Sequence, residues 1–216
     1  MSQFNIYARK LDTVFKEARS EYNTAFRALQ EAQQASRDAN AWKPGDSAEE
    51  KQVRTTRAAL KLHDAEATFN EASARVWDNF KATRRTIRAE LEQAVRTADI
   101  VNPDAINSNA LELMKSGVMT SDDYAAFVKK YGNNPTMLRL ISHYSAAAAK
   151  AQDGSSEAAA LNAISNVCQS WKDEILQKFD DLSDYCGDIT GHEEPDEVSR
   201  MSEKWDELSL NAVENF

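Results

Sequence analysis

Acidic side chains form the groups in this sequence that most resemble a site for chemistry: Asp122 and Asp123, then Asp180, Asp181 and Asp184. Grouped carboxylates can hold a divalent cation. Neighbouring residues on a helix do not face each other, however, and the first pair occupies a position where a helix N-terminus favours negative charge. The sequence also lacks the twelve-residue loop of a calcium site. We therefore expect solvated helix faces and no metal site.

The histidines and cysteines offer no better set of ligands. His63, His143 and His192 are too far apart in the sequence to share one face of a helix, and Cys186 with His192 would supply two ligands only. Two cysteines, the second being Cys168, do not make a disulfide framework, so we expect reduced thiols. No nucleophile elbow, phosphate-binding glycine loop or zinc-protease pair occurs. The sequence predicts a protein that is not an enzyme, with no catalytic residue and no cofactor.

A basic cluster lies within "RVWDNFKATRRTIR", residues 75–88. Arg84, Arg85 and Arg88 could contact a phosphate or another anion. Asp78 and Glu92 dilute the cluster, which favours a salt-bridged surface that faces the acidic C-terminal helices of the same chain. Both interpretations remain open at the level of the sequence.

The charge of the chain is unevenly distributed. Residues 1–101 carry 17 Lys/Arg and 15 Asp/Glu, whereas residues 102–216 carry 9 and 20. An acidic C-terminal part repels nucleic acid and anionic membranes and could dock on a basic partner. The sequence contains no apolar run of bilayer-spanning length, and it opens with the charged stretch "MSQFNIYARKLD". We expect a soluble, intracellular protein.

The elements that would position these residues are long helices. From Ser2 to Trp42, apolar or small residues recur every three or four positions, which predicts one amphipathic helix of coiled-coil length. The stretch "WKPGDS" ends it, and Ser47 with Glu50 forms a capping box for a second helix from Ala48 to Ala98. A short turn between two such helices predicts an antiparallel hairpin.

The character of the sequence changes after residue 101. Asn102-Pro103 predicts the start of a helix that continues to about Lys115 and stops at Gly117. Thr120 opens a second helix, and Asn134-Pro135 opens a third that ends near Asp153. We expect these short helices to form a small helical head.

Two further helices complete the expected all-α fold. One runs from Ser155 or Ser156 to about Tyr185, and an amphipathic helix spans about Glu197 to Leu210. The acidic stretch "CGDITGHEEPDE" between them is predicted to be mobile. The predicted domains are therefore a long coiled-coil-like hairpin (1–101), a head or bundle of shorter helices (102–186), and an acidic linker with a terminal amphipathic helix (187–216).

One segment carries a resemblance to known sequences. "NALELMKSGVMTSDDYAAFVKKYGNNPTMLRLISHY", residues 109–144, resembles a segment of helical proteins encoded by phages and prophages of Gram-positive bacteria. The matching positions are Leu113, Lys115, Ser116, Gly117, Asp123, Tyr124, Asn134, Pro135, Thr136 and Met137, and the hairpin with Trp42 and Trp77 is similar too. The resemblance implies a phage gene product, from the morphogenesis region, and no particular activity. It also implies a location in the cytoplasm of the bacterial host cell, with the virion as the alternative.

Two functions follow as hypotheses. The first is a non-enzymatic structural or assembly protein of a phage, which contacts other phage proteins or further copies of itself. The second is a regulatory or nucleic-acid-associated protein that uses the basic cluster, against which the acidic C-terminal part argues. The predicted partner contacts are Tyr124, Phe127, Tyr131, Met137, Leu138, Leu140, Met201 and Trp205. The first six are expected to build the core of the head, and the alternative is that they only close the bundle.

Overall fold

The computed structural model describes residues 3–45, 47–152, 154–214 and 216 of the chain. Every regular element in these ranges is helical, which confirms the predicted all-α class. The helices are α1 (Asn5–Asn40), α2 (Ala48–Ala98), a 3₁₀ helix (Pro103–Ala105), α3 (Ser108–Ser116), α4 (Ser121–Tyr131), α5 (Pro135–Ala151), α6 (Ser156–Thr190) and α7 (Pro195–Glu214). The expected first residue of α1, Ser2, and the expected stop at Asp153 lie outside the described residues.

Helices α1 and α2 form the predicted antiparallel hairpin. Residues further along α1 contact residues earlier in α2, as two antiparallel helices require. The successive pairs are Phe15 with Phe80 (ring centroids 5.3 Å apart), Tyr22 with Phe69 (5.5 Å) and Ala39 with Arg54 (carbonyl oxygen to Nε 3.2 Å). The large rings thus occupy the middle of the hairpin, and small residues occupy its far end.

The turn of the hairpin uses the predicted capping box. The Ser47 amide donates to Glu50 Oε2 at 3.0 Å, and the Glu50 amide donates to Ser47 Oγ at 3.1 Å. Two backbone donors that the first turn of α2 leaves without helical partners are therefore satisfied. Gly45 adopts a φ of 90°, a left-handed conformation that only glycine adopts readily.

The chain separates into two compact units. The hairpin unit comprises Ala8–Ile87 and Leu182–Glu214, and the head unit comprises the described residues of Met1–Tyr7, Arg88–Asp181 and Asn215–Phe216. These units are not the three consecutive segments predicted from the sequence. The C-terminal part of α2 belongs to the head unit, and α7 with the end of α6 belongs to the hairpin unit.

The core of the head unit is built from α3, α4, α5 and α6. Tyr124, Met137 and Leu138 are almost completely buried in it, together with Ile141 and Leu161. Phe127, Tyr131 and Leu140 are partly buried and pack against this core. The expectation that the six predicted residues build the core of the head is therefore confirmed for Tyr124, Met137 and Leu138.

The predicted helix from Asn102 is interrupted. Pro103 begins only a three-residue 3₁₀ helix, and the chain is extended again at Ile106. Asn107 then acts as a second N-cap, since its side chain accepts the Ala110 amide at 2.9 Å. The Asn107 amide also donates to the sulfur of Met137 at 3.4 Å, which ties the break to the core. The stop at Gly117 occurs as expected, at a φ of 70°.

The acidic stretch after Tyr185 is largely helical, so the prediction of a mobile linker from residue 187 is wrong. Helix α6 continues to Thr190, and α7 starts at Pro195. The physical reason is burial, because Cys186 and Ile189 lie on one helical face and are both almost fully buried in the hairpin unit. Among the described residues, no helix combines the length and apolarity that crossing a membrane requires.

Candidate interaction surfaces

The far end of the hairpin, residues 31–61, carries an open groove between α1 and α2. The groove has a volume of about 820 Å³, and its apolar lining is made of small side chains with one larger one. These apolar residues are Ala32, Ala35, Ala39, Val53 and Ala58. Small side chains leave room for a neighbouring backbone to approach both helices closely. We call residues 31–61 the hairpin end.

Large apolar side chains of the hairpin end point into solvent. Trp42 is 61% exposed, Val53 59% and Leu60 61%. Lys51 Nζ lies 5.0 Å from the centroid of the Trp42 ring, within the range of a cation–π contact. Single exposed apolar residues are common on any protein, but three within one short hairpin tip form a candidate contact surface.

Helix α7 contacts the other part of α1 within the hairpin unit. Its contacts run from Asp12, whose Oδ1 accepts from Trp205 Nε1 at 2.8 Å, to Gln30, whose Nε2 donates to Asp196 Oδ1 at 3.2 Å. The hairpin end begins directly after Gln30. The groove therefore lies beyond the hydrogen bonds described between α1 and α7.

The charged residues of α2 that line the groove change sign along the helix, and Asp38 of α1 and Lys43 of the turn line the groove as well. Glu49 and Glu50 lie in the first turn of the helix, whereas Arg57 and Lys61 lie two to three turns further on. Arg54, between them, donates to the carbonyl oxygens of Ala39 (3.2 Å) and Ala41 (3.1 Å). The groove is thus acidic along α2 at the tip and basic at the opposite end.

Most of the predicted contact residues of the head serve its interior. Tyr124, Met137 and Leu138 are buried, so the prediction that they contact a partner is wrong, and Phe127 with Tyr131 forms an edge-to-face pair at 5.6 Å. These side chains lie on the apolar faces with which α3 to α6 pack together, so little of their surface is exposed to solvent.

The prediction for Trp205 is also wrong. Its indole is fully buried in the hairpin unit, where it packs against Phe15 (ring centroids 4.6 Å apart) and stacks on Tyr185 (5.8 Å). Met201 on the same helix is partly buried. The apolar face of α7 is therefore used within its own chain.

The basic cluster is mostly engaged inside the chain. In the hairpin unit, Arg84 Nη1 donates to the Ser183 carbonyl oxygen at 2.9 Å. In the head unit, Arg88 forms a two-pronged bond to Asp180, with Nε to Oδ1 at 2.7 Å and Nη2 to Oδ2 at 3.1 Å. The hydrogen bond to Asp180 raises the pKa of the Arg88 guanidinium. Arg85 is exposed, and the salt-bridged interpretation of the cluster is confirmed for Arg88.

The acidic groups act as caps and ion-pair partners. Asp123 Oδ2 accepts the Thr120 amide and hydroxyl, both at 2.9 Å, which lowers the pKa of the Asp123 carboxyl. Asp180 is held by Arg88, and Asp181 accepts from Gln177 Nε2 at 2.7 Å. In the described part of the chain, no three His, Cys, Asp or Glu side chains are grouped so that they could hold a metal ion.

A polar cavity of about 450 Å³ in the head unit brings together Cys168 and His143. Burial raises the pKa of the Cys168 thiol to about 11, which disfavours the thiolate that a nucleophile requires. Lys172 Nζ lies 2.9 Å from Asp99 Oδ2, and Arg139 Nη2 lies 3.9 Å from the same oxygen. The positive charges of Lys172 and Arg139 therefore lie next to Asp99, a carboxylate of the same unit. Cys186, in the hairpin unit, is also a buried free thiol with a raised pKa.

Sequence analysis missed the hairpin end. The signal was present in the stripe of α1, which carries large apolar residues up to Leu29 and only alanines at the equivalent positions beyond it. Comparison with known proteins adds no site: no family model matches the chain, and no curated protein or solved structure matches it significantly.

Proposed function

We propose that this protein is a non-enzymatic structural or assembly protein of a phage particle that works through protein–protein contacts. The observation that carries the proposal is the hairpin end, where an apolar groove and three exposed large apolar side chains occur together. When a partner buries a surface of this kind, the free energy of the system falls by about 25 cal/mol per Å² of apolar area removed from water. The phage assignment rests on the resemblance of residues 109–144.

The exposed tryptophan gives the proposal a specific anchor. Trp42 lies next to the turn of the hairpin, and tryptophan is among the residues that contribute most to binding energy at protein interfaces. Lys51 Nζ lies 5.0 Å from the centroid of its ring, and this cation–π contact favours one position of the ring. We expect Trp42→Ala to weaken partner binding without loss of helix content.

The absence of enzymatic activity is part of the proposal. Its support is the state of the groups that could react: both thiols are buried with raised pKa values, and Asp123 and Asp180 are held in a cap and an ion pair. A nucleic-acid role would need Arg84 and Arg88 to release the partners that they already have. We therefore do not adopt that role.

The test is mass spectrometry of peptides from purified mature particles and from precursor particles of the producing strain. Presence in mature particles would make the protein a virion component. Presence in precursors alone would make it an assembly factor that leaves before maturation. Absence from both would overturn the proposed function.

A further inference from the structure

We propose that the groove of the hairpin end binds the same groove of a second copy of this chain, in an antiparallel arrangement around a twofold axis. This inference deepens the proposed function and rests on it, since it names the protein partner of that contact surface. Contact between identical surfaces requires a surface that is complementary to itself. The order of charges along the groove meets this requirement.

The first step concerns the two ends of the groove. Glu49 and Lys61 both line it and are separated by twelve positions on α2, which corresponds to roughly 18 Å along a helix. When a second groove lies antiparallel on the first, Glu49 of each copy comes level with Lys61 of the other. A parallel arrangement would place like charges together, which is unfavourable. The charge order therefore selects the antiparallel pairing.

The second step concerns the centre of the groove, next to the twofold axis. With Glu49 level with Lys61 of the other copy, the axis passes position 55 of α2, and Val53, which is 59% exposed, lies level with Arg57 of the other copy. An apolar side chain can pack on the aliphatic part of that arginine, whereas a second cation at this position would be repelled. Arg54 is already bonded to the carbonyl oxygens of Ala39 and Ala41. Asp38, which also lines the groove, accepts from Gln34 Nε2 at 2.8 Å, so both charged groups have partners within their own chain.

The third step concerns how closely the two copies can approach. Ala32, Ala35 and Ala39 on α1 and Ala58 on α2 line the groove without large side chains. Close approach allows Val53 of each copy to enter the space between the helices of the other. A contact of about 18 Å in length is small for an interface, so we expect a dissociation constant on the order of micromolar.

The first measurement is sedimentation of the full chain over a range of concentrations at low salt. We expect a reversible monomer–dimer equilibrium, which Val53→Lys abolishes because it places each new lysine level with Arg57 of the other copy. The matched control is Val167→Lys, which changes an exposed valine of α6 in the head unit and should leave the dimer intact. Helix content by circular dichroism verifies that both variants fold. A monomeric wild type, or a Val53→Lys protein that still dimerises, overturns the inference.

The second measurement tests the antiparallel order. Glu49→Lys and Lys61→Glu should each weaken the dimer by roughly tenfold, because each converts two attractive pairs into repulsive ones. An equimolar mixture of the two variants should regain wild-type affinity, since both pairs are again of opposite charge. The double variant should regain it alone. Failure of the mixture and of the double variant to recover overturns the antiparallel arrangement.

The outcomes separate this inference from the proposed function. A monomeric protein that is nevertheless found in phage particles leaves the proposed function in place and removes the self-contact. A dimer of the expected kind that is absent from mature and precursor particles retains the self-contact and removes the phage role.

Discussion

Trp205 illustrates how a single side chain organises the hairpin unit. Its ring packs against Phe15 and Tyr185, and its indole nitrogen donates to Asp12, so one residue of α7 reaches α1 and α6. Aromatic rings bury more area than any other side chain and therefore contribute strongly to stability. The bond to Asp12 also gives the buried indole N–H the hydrogen-bond acceptor that it needs.

We predict that Trp205→Ala lowers the free energy of unfolding by about 3–5 kcal/mol, since it leaves a large cavity among aromatic rings. Urea denaturation followed by circular dichroism measures the change. Trp205→Phe separates the contributions, because it retains a ring but loses the bond to Asp12. Leu208→Ala, at an exposed position of the same helix, is the control and should cost less than about 1 kcal/mol. An equal loss in both alanine variants would contradict the assigned packing.

Asp123 provides a prediction about pH. Its carboxylate accepts from the Thr120 amide, which lowers its pKa most, and from the Thr120 hydroxyl, which lowers the pKa further. A lowered pKa in the folded state means that the ionised form stabilises α4. This contribution is present above the ordinary pKa of an aspartate in the unfolded chain, and it is lost as pH falls through the lowered pKa.

We therefore expect Thr120→Ala to raise the pKa of the Asp123 carboxyl part of the way to its ordinary value, because the backbone bond remains. An NMR titration of the Asp123 side-chain carboxyl measures this shift directly. An unchanged pKa in Thr120→Ala would show that the hydroxyl does not hold the carboxylate.

At the scale of elements, Asn134 joins two helical segments. Its Oδ1 accepts the Met137 amide at 3.1 Å as the N-cap of α5, while its Nδ2 donates to the Ala105 carbonyl oxygen at 2.7 Å. One side chain therefore starts α5 and secures the 3₁₀ helix beside it. The sequence pattern Asn-Pro predicts the first role, and only the fold reveals the second.

We predict that Asn134→Ala destabilises the protein by about 2 kcal/mol, as the sum of a lost cap and a lost hydrogen bond. Asn134→Ser should cost about 1 kcal/mol, since serine can cap the helix but is too short to reach Ala105. Urea denaturation gives both values, and hydrogen exchange of the Met137 amide shows whether the cap persists. Faster exchange in the serine variant than in the alanine variant would contradict the two separate roles.

The bounds of the elements show what local sequence can determine. The capping box of Ser47 and Glu50 at the start of α2 and the N-caps at Thr120 and Asn134 follow from side chains within three or four positions, and all are as predicted. Helix α6 exceeds its predicted end because Cys186 and Ile189 are buried by residues far away in the sequence. Local signals therefore fail where distant contacts decide whether a helix continues.

The same limit applies to the candidate surfaces at the scale of the whole molecule. The amphipathic pattern of α7 reveals that one face is apolar, but it does not reveal whether that face packs inside the chain, as Trp205 does. The division into the hairpin unit and the head unit likewise depends on long-range packing. The alanines of the hairpin end were visible in the sequence, and only the exposure of Val53 and Leu60 identifies them as part of a surface.

The two cysteines give the molecule one intrinsic probe in each unit. Cys168 is buried in the head unit and Cys186 in the hairpin unit, so a thiol reagent can modify each only after its own unit opens. In the native protein near neutral pH we expect slow modification at rates set by these opening events rather than by the reagent. Mass spectrometry of the labelled peptides would follow both sites in one sample. Equal rates at both thiols would identify a single cooperative folding unit, and different rates would rank the local stability of the two units without any engineered label.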